Sequence, residues 1–169
     1  MMRGHMTTGT FSFLKSFTTK NKHIDFFFMN SGSNTLIYYE SEQNEKKIFT
    51  SGQSYEVVIS DGELKQEGYV VMHHIPISDE SMPLFENHLR NKSNIRQTVT
   101  DIHALRLLKP LKGNTYIILT YWPNQKIYEL WKDTDVYEQL VTNNSVRSPG
   151  YYTDETFITS GAMIDKDLL

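Results

Sequence analysis

The stretch GYVVMHHIPISDESMPLFENHLRNK, residues 68–92, decides the fold. Its first ten residues are rich in Val, Ile and Tyr and stand between Gly68 and Ser78, which is the composition of a strand. Ser78-Asp79-Glu80-Ser81 then offers several helix N-cap residues, and Pro83 suits a first helical turn. The spacing beyond it predicts a helix with Leu84, Phe85, His88 and Leu89 on one face and Glu86, Asn87 and Arg90 outward.

Downstream, IHALRLLKP (102–110) and NTYIILTYW (114–122) read as two strands joined by a hairpin through Pro110 to Gly113. Asn124 can cap a helix carrying Ile127, Leu130 and Trp131, and residues 133–135 restart a second helical piece with Val136, Tyr137, Leu140 and Val141. Residues 143–152 read as a loop, and ETFITSGAMI (155–164) closes as a strand. The order β-α-β-β-α-β from residue 68 is the ferredoxin-like plan. Upstream, GTFSFLKSF (9–17), HIDFFFMN (23–30), TLIYYESE (35–42) and KKIFT (46–50) read as short strands. The expected fold class is therefore α+β: a mostly β companion half over residues 7–67, then a ferredoxin-like domain over 68–169, sharing one core. The leading residues 1–6 read as dispensable, ahead of a start at Met6.

Composition narrows the function. A net charge of -3 over 169 residues, with no cluster of Lys and Arg, gives no footprint for nucleic acid. The chain has no cysteine, which removes disulfide frameworks, thiolate metal sites and thiol catalysis and fits a cytoplasmic protein. No apolar run reaches membrane-spanning length, so no membrane partner is expected. Phosphate loops, His-Glu-x-x-His helices and Gly-x-Ser-x-Gly elbows are also missing from the sequence.

Three stretches carry a resemblance: LFENHLRNK (84–92), ALRLLKPLKGNTYIILTYW (104–122) and YELWKDTDVYEQL (128–140). They resemble the haem-degrading monooxygenases of the antibiotic-biosynthesis-monooxygenase (ABM) fold, the Isd-type enzymes, and more closely their longer two-part, HmoB-like relatives. Gly9-Thr10-Phe11, SYEVV (54–58) and LRLLKPLKGNTY (105–116) are also similar to the staphylococcal TRAP family of signal-transduction proteins. The resemblance implies a cleft between sheet and helices that takes haem as cofactor and substrate. It implies three cleft residues: an Asn on the first ABM strand, a Trp on the last helical stretch, and a His ten residues after that Trp.

Here the Trp position is met by Trp131, the His position by Val141, which cannot ligate iron, and the Asn position by the His73-His74 pair. Side-chain direction alternates along a strand, so His73 shares a face with Tyr69, Val71, Ile75 and Ile77 while His74 faces away. The candidate set that follows has His73 as a non-standard iron ligand and catalytic residue, Trp131 pressing on the macrocycle, His74 and His88 as further cofactor contacts, and Arg90 and Arg96 at the haem propionates. The alternatives are plain structural roles: Trp131 as core filling on an apolar stripe, His73 as a satisfied buried histidine, and the arginines as a solvated helix end.

Two functions stay open on this reading. One is a haem-binding protein that degrades haem by monooxygenation, with a metal-free ABM-type oxygenase acting on another planar aromatic molecule as its variant. The other is a non-catalytic, TRAP-like regulatory or stress protein with a filled cleft. A two-part chain can supply internally the contact that shorter relatives make by dimerising, so a monomer with an internal pseudo-dimer is expected.

Overall fold

The computed structural model describes residues 1–92, 94–142 and 156–169. The loop expected over 143–152 lies outside the described residues. The first half runs β1 (Met2–Gly9), α1 (Phe11–Lys20), β2 (Phe27–Ser31), β3 (Asn34–Glu42) and β4 (Gln53–Gly62). The second runs β5 (Tyr69–Pro76), α2 (Met82–Asn91), a short α3 (Ile95–Thr98), β6 (Ala104–Pro110), β7 (Thr115–Trp122), α4 (Gln125–Trp131), α5 (Asp135–Tyr137) with a π turn over Glu138–Thr142, and β8 (Phe157–Ala162).

All eight strands form one antiparallel sheet in the order β2-β3-β1-β4-β6-β7-β5-β8. Within each half the order is the same: second strand, third, first, fourth. The two halves are thus two ferredoxin-like sheets laid edge to edge. One seam is the β4–β6 pairing, from Tyr55↔Pro110 to Gly62↔Ala104, with a bulge between Val57 and Ile59. At the other, β8 and the residues after it run against β2 through a Met29↔Met163 bridge and an Ile164 N–H bond to the Phe28 carbonyl of 2.9 Å. A β-carbon on Gly161 would collide with the Asn30 carbonyl oxygen, so the close approach of β8 to β2 requires glycine there.

Several expectations are corrected at this level. GTFSFLKSF is not a strand: Thr10 caps α1, its hydroxyl accepting from the Phe13 N–H at 3.4 Å, and Leu14 turns into the core. KKIFT forms no strand either, and only Phe49 of it is deeply buried. Residues 2–6, set aside as dispensable, belong to β1, an inner strand paired with both β3 and β4. On α2 the positions of Leu84 and Glu86 are reversed. Leu84 is 62% exposed, whereas Glu86 is held by a Tyr116 hydroxyl at 2.5 Å and Lys109 Nζ at 3.1 Å.

The sheet separates three cores. Val70, Met72, Tyr38, Leu108, Ile117 and Leu119 pack inside the closed sheet. Val71, Ile75, Phe85, Leu89, Leu107, Ile118 and Trp122 pack under the helices of the second half. Leu14, Phe28, Ile37, Tyr39 and Phe49 pack under α1. The inner core carries one buried ion pair, in which Arg106 Nε donates to Glu40 Oε2 at 2.8 Å and the Tyr38 hydroxyl donates to the same oxygen at 2.7 Å. Burial, with Glu40 adding to it, pushes the Tyr38 phenol well above its ordinary range. Because Glu40 lies on β3 and Arg106 on β6, this pair also ties the two halves together across the interior.

Gln66, in the link between the halves, closes the second seam from the side. Its amide oxygen accepts the Phe28 N–H at 3.0 Å, and its Nε2 donates to the carbonyls of Phe28 at 2.7 Å and Ile164 at 2.9 Å. Net contributions of about 0.5–1.5 kcal/mol per hydrogen bond lead us to expect that Gln66→Ala lowers unfolding stability by about 2 kcal/mol in urea titrations. An unchanged midpoint would show that the seam does not depend on this side chain.

Candidate functional site

Alternation along β5 places His73 under the helices with Val71 and Ile75, and His74 on the opposite face. His73 is fully buried. Trp131, at the end of α4, is 5% exposed and packs on Trp122 at 4.9 Å between ring centroids. The indole and the imidazole therefore enter the same layer between sheet and helices.

Tyr137 contacts both of them. Its ring stands 5.0 Å from Trp131 at 89° and 5.6 Å from His73, and its hydroxyl lies 3.2 Å from His73 Nε2. The placement follows from a break in the helix. The Thr134 hydroxyl bonds the Trp131 carbonyl at 2.7 Å and accepts from the Tyr137 N–H at 3.3 Å, ending α4 and starting α5. Leu140 and Val141, the latter at the position where the resemblance implies a His, are buried in the same core. Sequence reading placed Tyr137 on the second helical piece without assigning it a role. The available signal was the Thr134 cap, which turns the chain back so that the next aromatic faces the sheet.

The other candidates lie apart from this trio or are otherwise engaged. His74 stacks on Phe157 at 4.2 Å and 7°, with Nε2 2.9 Å from the Thr159 hydroxyl. His88 is half-buried on α2, with its Nε2 unpartnered. Arg90 is exposed, 3.9 Å from Glu86. Arg96 Nη1 pairs with Asp61 at 2.8 Å and its Nε donates to the Ile102 carbonyl at 2.9 Å. Tyr121 faces the inner core, while Trp122 and Tyr128 stand between the sheet and the helices. Among the described residues no group of three or more His, Asp or Glu is placed to hold a metal ion, and no helix is long and apolar enough to cross a membrane.

Tyr137 touches both His73 and Trp131, so a haem lying against those two rings would have to displace it. The His73 nitrogen nearest the helices, Nε2, already faces the Tyr137 hydroxyl. Among the described residues there are surface cavities of about 540–830 Å³ whose linings do not include His73, Trp131 or Tyr137. Among the described residues the layer retains unpartnered polar atoms at His73 Nδ1, Trp131 Nε1 and the Tyr128 hydroxyl.

Burial holds the imidazole of His73 down at about 4, helped by His74 and Lys132, and burial does the same to His74. His5, buried on β1, is also lowered to about 4 by burial, then by Lys47 and Arg3. An unfolded histidine takes its proton near pH 6.5. Between about 6.5 and 4 the unfolded chain thus binds more protons than the folded one, so stability must rise with pH across that window. We expect the urea midpoint to fall between pH 7 and pH 4.5, and to fall less in His73→Gln. A midpoint that rose on acidification would contradict the neutral, buried state of these rings.

No protein-family model matches the sequence. The chain is 25% identical over 140 residues to a haem-degrading monooxygenase of Listeria monocytogenes, covering 83% of each protein. It is 27% identical over 138 residues to the signal transduction protein TRAP of Staphylococcus epidermidis, covering 82% of this chain and 81% of that one. Among solved structures, a major regulator of staphylococcal pathogenesis superposes with a TM-score of 0.84 at 21% identity, covering 96% of this chain and 99% of that one. A ferredoxin-fold protein related to antibiotic biosynthesis monooxygenases, from Listeria monocytogenes, superposes with a TM-score of 0.76 at 24% identity, covering 95% and 94%. The chain therefore has the ferredoxin-like ABM fold and resembles, over more than four fifths of its length, both the haem-degrading monooxygenase and the TRAP protein.

Proposed function

We propose that this chain is a regulatory ABM-fold protein of the TRAP kind, in which the cleft of the second half is closed by its own side chains and does no oxygenase chemistry. The observation that carries the reading is the Tyr137 ring packed against both His73 and Trp131, with Val141 buried in the same core. The same ring stands in the way of any other flat aromatic ligand. The two internal seams support a monomer, because each half already has the neighbouring sheet that a separate copy would otherwise provide.

A second reading, haem binding with His73 as axial ligand, is favoured by the likeness to the Listeria haem-degrading enzyme and by the unpartnered His73 Nδ1 and Trp131 Nε1. It requires Tyr137 to leave the layer, and Arg96 to give up Asp61 if it is to meet a propionate. Titration of the apoprotein with haemin separates the two. We expect no saturable Soret shift at stoichiometric protein. A one-to-one shift that disappears in His73→Ala would overturn the regulatory reading and restore His73 as an iron ligand.

A further inference from the structure

The two halves share a strand order but not a second layer. Over the second-half sheet, α4, α5 and the π turn follow the third strand and fill the space beside α2. Over the first-half sheet, residues 43–52 follow the third strand without a helix, leaving a groove of about 830 Å³ between them and α1. Phe13 and Phe17 of α1, with Ile24 and Ile48, supply its apolar lining, and Phe13 is left 54% exposed.

The groove is held in shape rather than collapsed. Phe49 is buried edge-on to Phe17 at 5.1 Å and to Tyr39 at 5.0 Å, which anchors the connection to the sheet. The Ile48 N–H donates to the Tyr39 hydroxyl at 3.0 Å. With its next residues pinned beneath, the connection presents Lys46 and Lys47 outward at the rim, facing Lys20 near the end of α1. Among the described residues these three lysines make no ion pair, and Glu45 is the one acid at the rim. A cationic rim on a chain of net charge -3, above an apolar floor, is complementary to a molecule with an anionic head and an apolar body.

We propose that this groove binds one long-chain carboxylate, its chain on Phe13, Phe17, Ile24 and Ile48 and its head at Lys20, Lys46 and Lys47. The site is separate from the cleft that holds His73 and does not depend on how that cleft is read. Its volume suits a single bound molecule of this size rather than a bilayer face.

The test is a fluorescence titration of the full chain with cis-parinaric acid, below its micelle concentration, beside the same acid as its methyl ester. The expected result is saturable binding of one acid per chain and binding of the ester weaker by about five-fold or more, the scale of losing exposed charge contacts. Lys46→Glu with Lys47→Glu should weaken the acid to the same degree, and Phe13→Asp should abolish saturation. All three side chains are exposed, and circular dichroism with a melting curve checks that the variants stay folded. Absence of saturation overturns the proposal, as does equal binding of acid and ester or wild-type binding by both variants. Sedimentation with phosphatidylglycerol vesicles, without binding of the monomeric acid, would assign the surface to a membrane and overturn it as well.

Discussion

Each residue on a strand of this nearly closed sheet must face one of two interiors, and adjacent residues must take opposite ones. On β5 that rule sends Val70, Met72 and His74 toward the inside of the closed sheet and Val71, His73 and Ile75 under the helices. The paired histidines are therefore separated by the sheet and cannot share one ion. Each meets partners on its own side, His73 Nε2 facing Tyr137 and His74 facing Thr159 and Phe157. A polar pair on the inner face also joins the two halves. Glu40 and Arg106 come from different halves, and a buried ion pair with its hydrogen bonds made favours one register of the two sheets over others.

Equal strand order in the two halves makes their differences informative. The second half spends its connection after the third strand on helices, whose aromatic residues pack down until the layer is full. The first half spends ten residues, 43–52, on a connection anchored through Phe49, and its layer stays open above α1. In the second half Tyr137 packs against His73 and Trp131, and in the first half a groove stays open beside α1. The fold alone cannot choose an activity; the side chains filling or lining each layer do.

Much of this was legible in the sequence, because apolar runs bounded by turn formers report strands directly. The β-α-β-β-α-β order after residue 68, the Asn124 cap and the shared face of His73 with Val71 and Ile75 all follow from local patterns. The helix α1 did not, since Phe, Ser and Thr are indifferent helix formers. It persists because Thr10 caps it, Leu14 is buried, and the hydroxyls of Ser16, Thr18 and Thr19 fold back onto carbonyls three residues earlier. Glu86 was misplaced because its partners, Tyr116 and Lys109, come from strands far along the chain. Tyr137 received no role for a related reason: its direction depends on where α4 stops, and only the tertiary layer reveals what the turned side chain meets.

The central claim is that one tyrosine ring packs against both an imidazole and an indole in the layer under the helices. Nuclear Overhauser contacts in a sample with labelled Tyr, Trp and His side chains test it without any ligand. The account predicts cross-peaks from the Tyr137 ring protons to both the His73 imidazole and the Trp131 indole. A Tyr137 ring with contacts to neither, alongside a solvent-exchanging Trp131 indole N–H, would contradict it and leave the layer open.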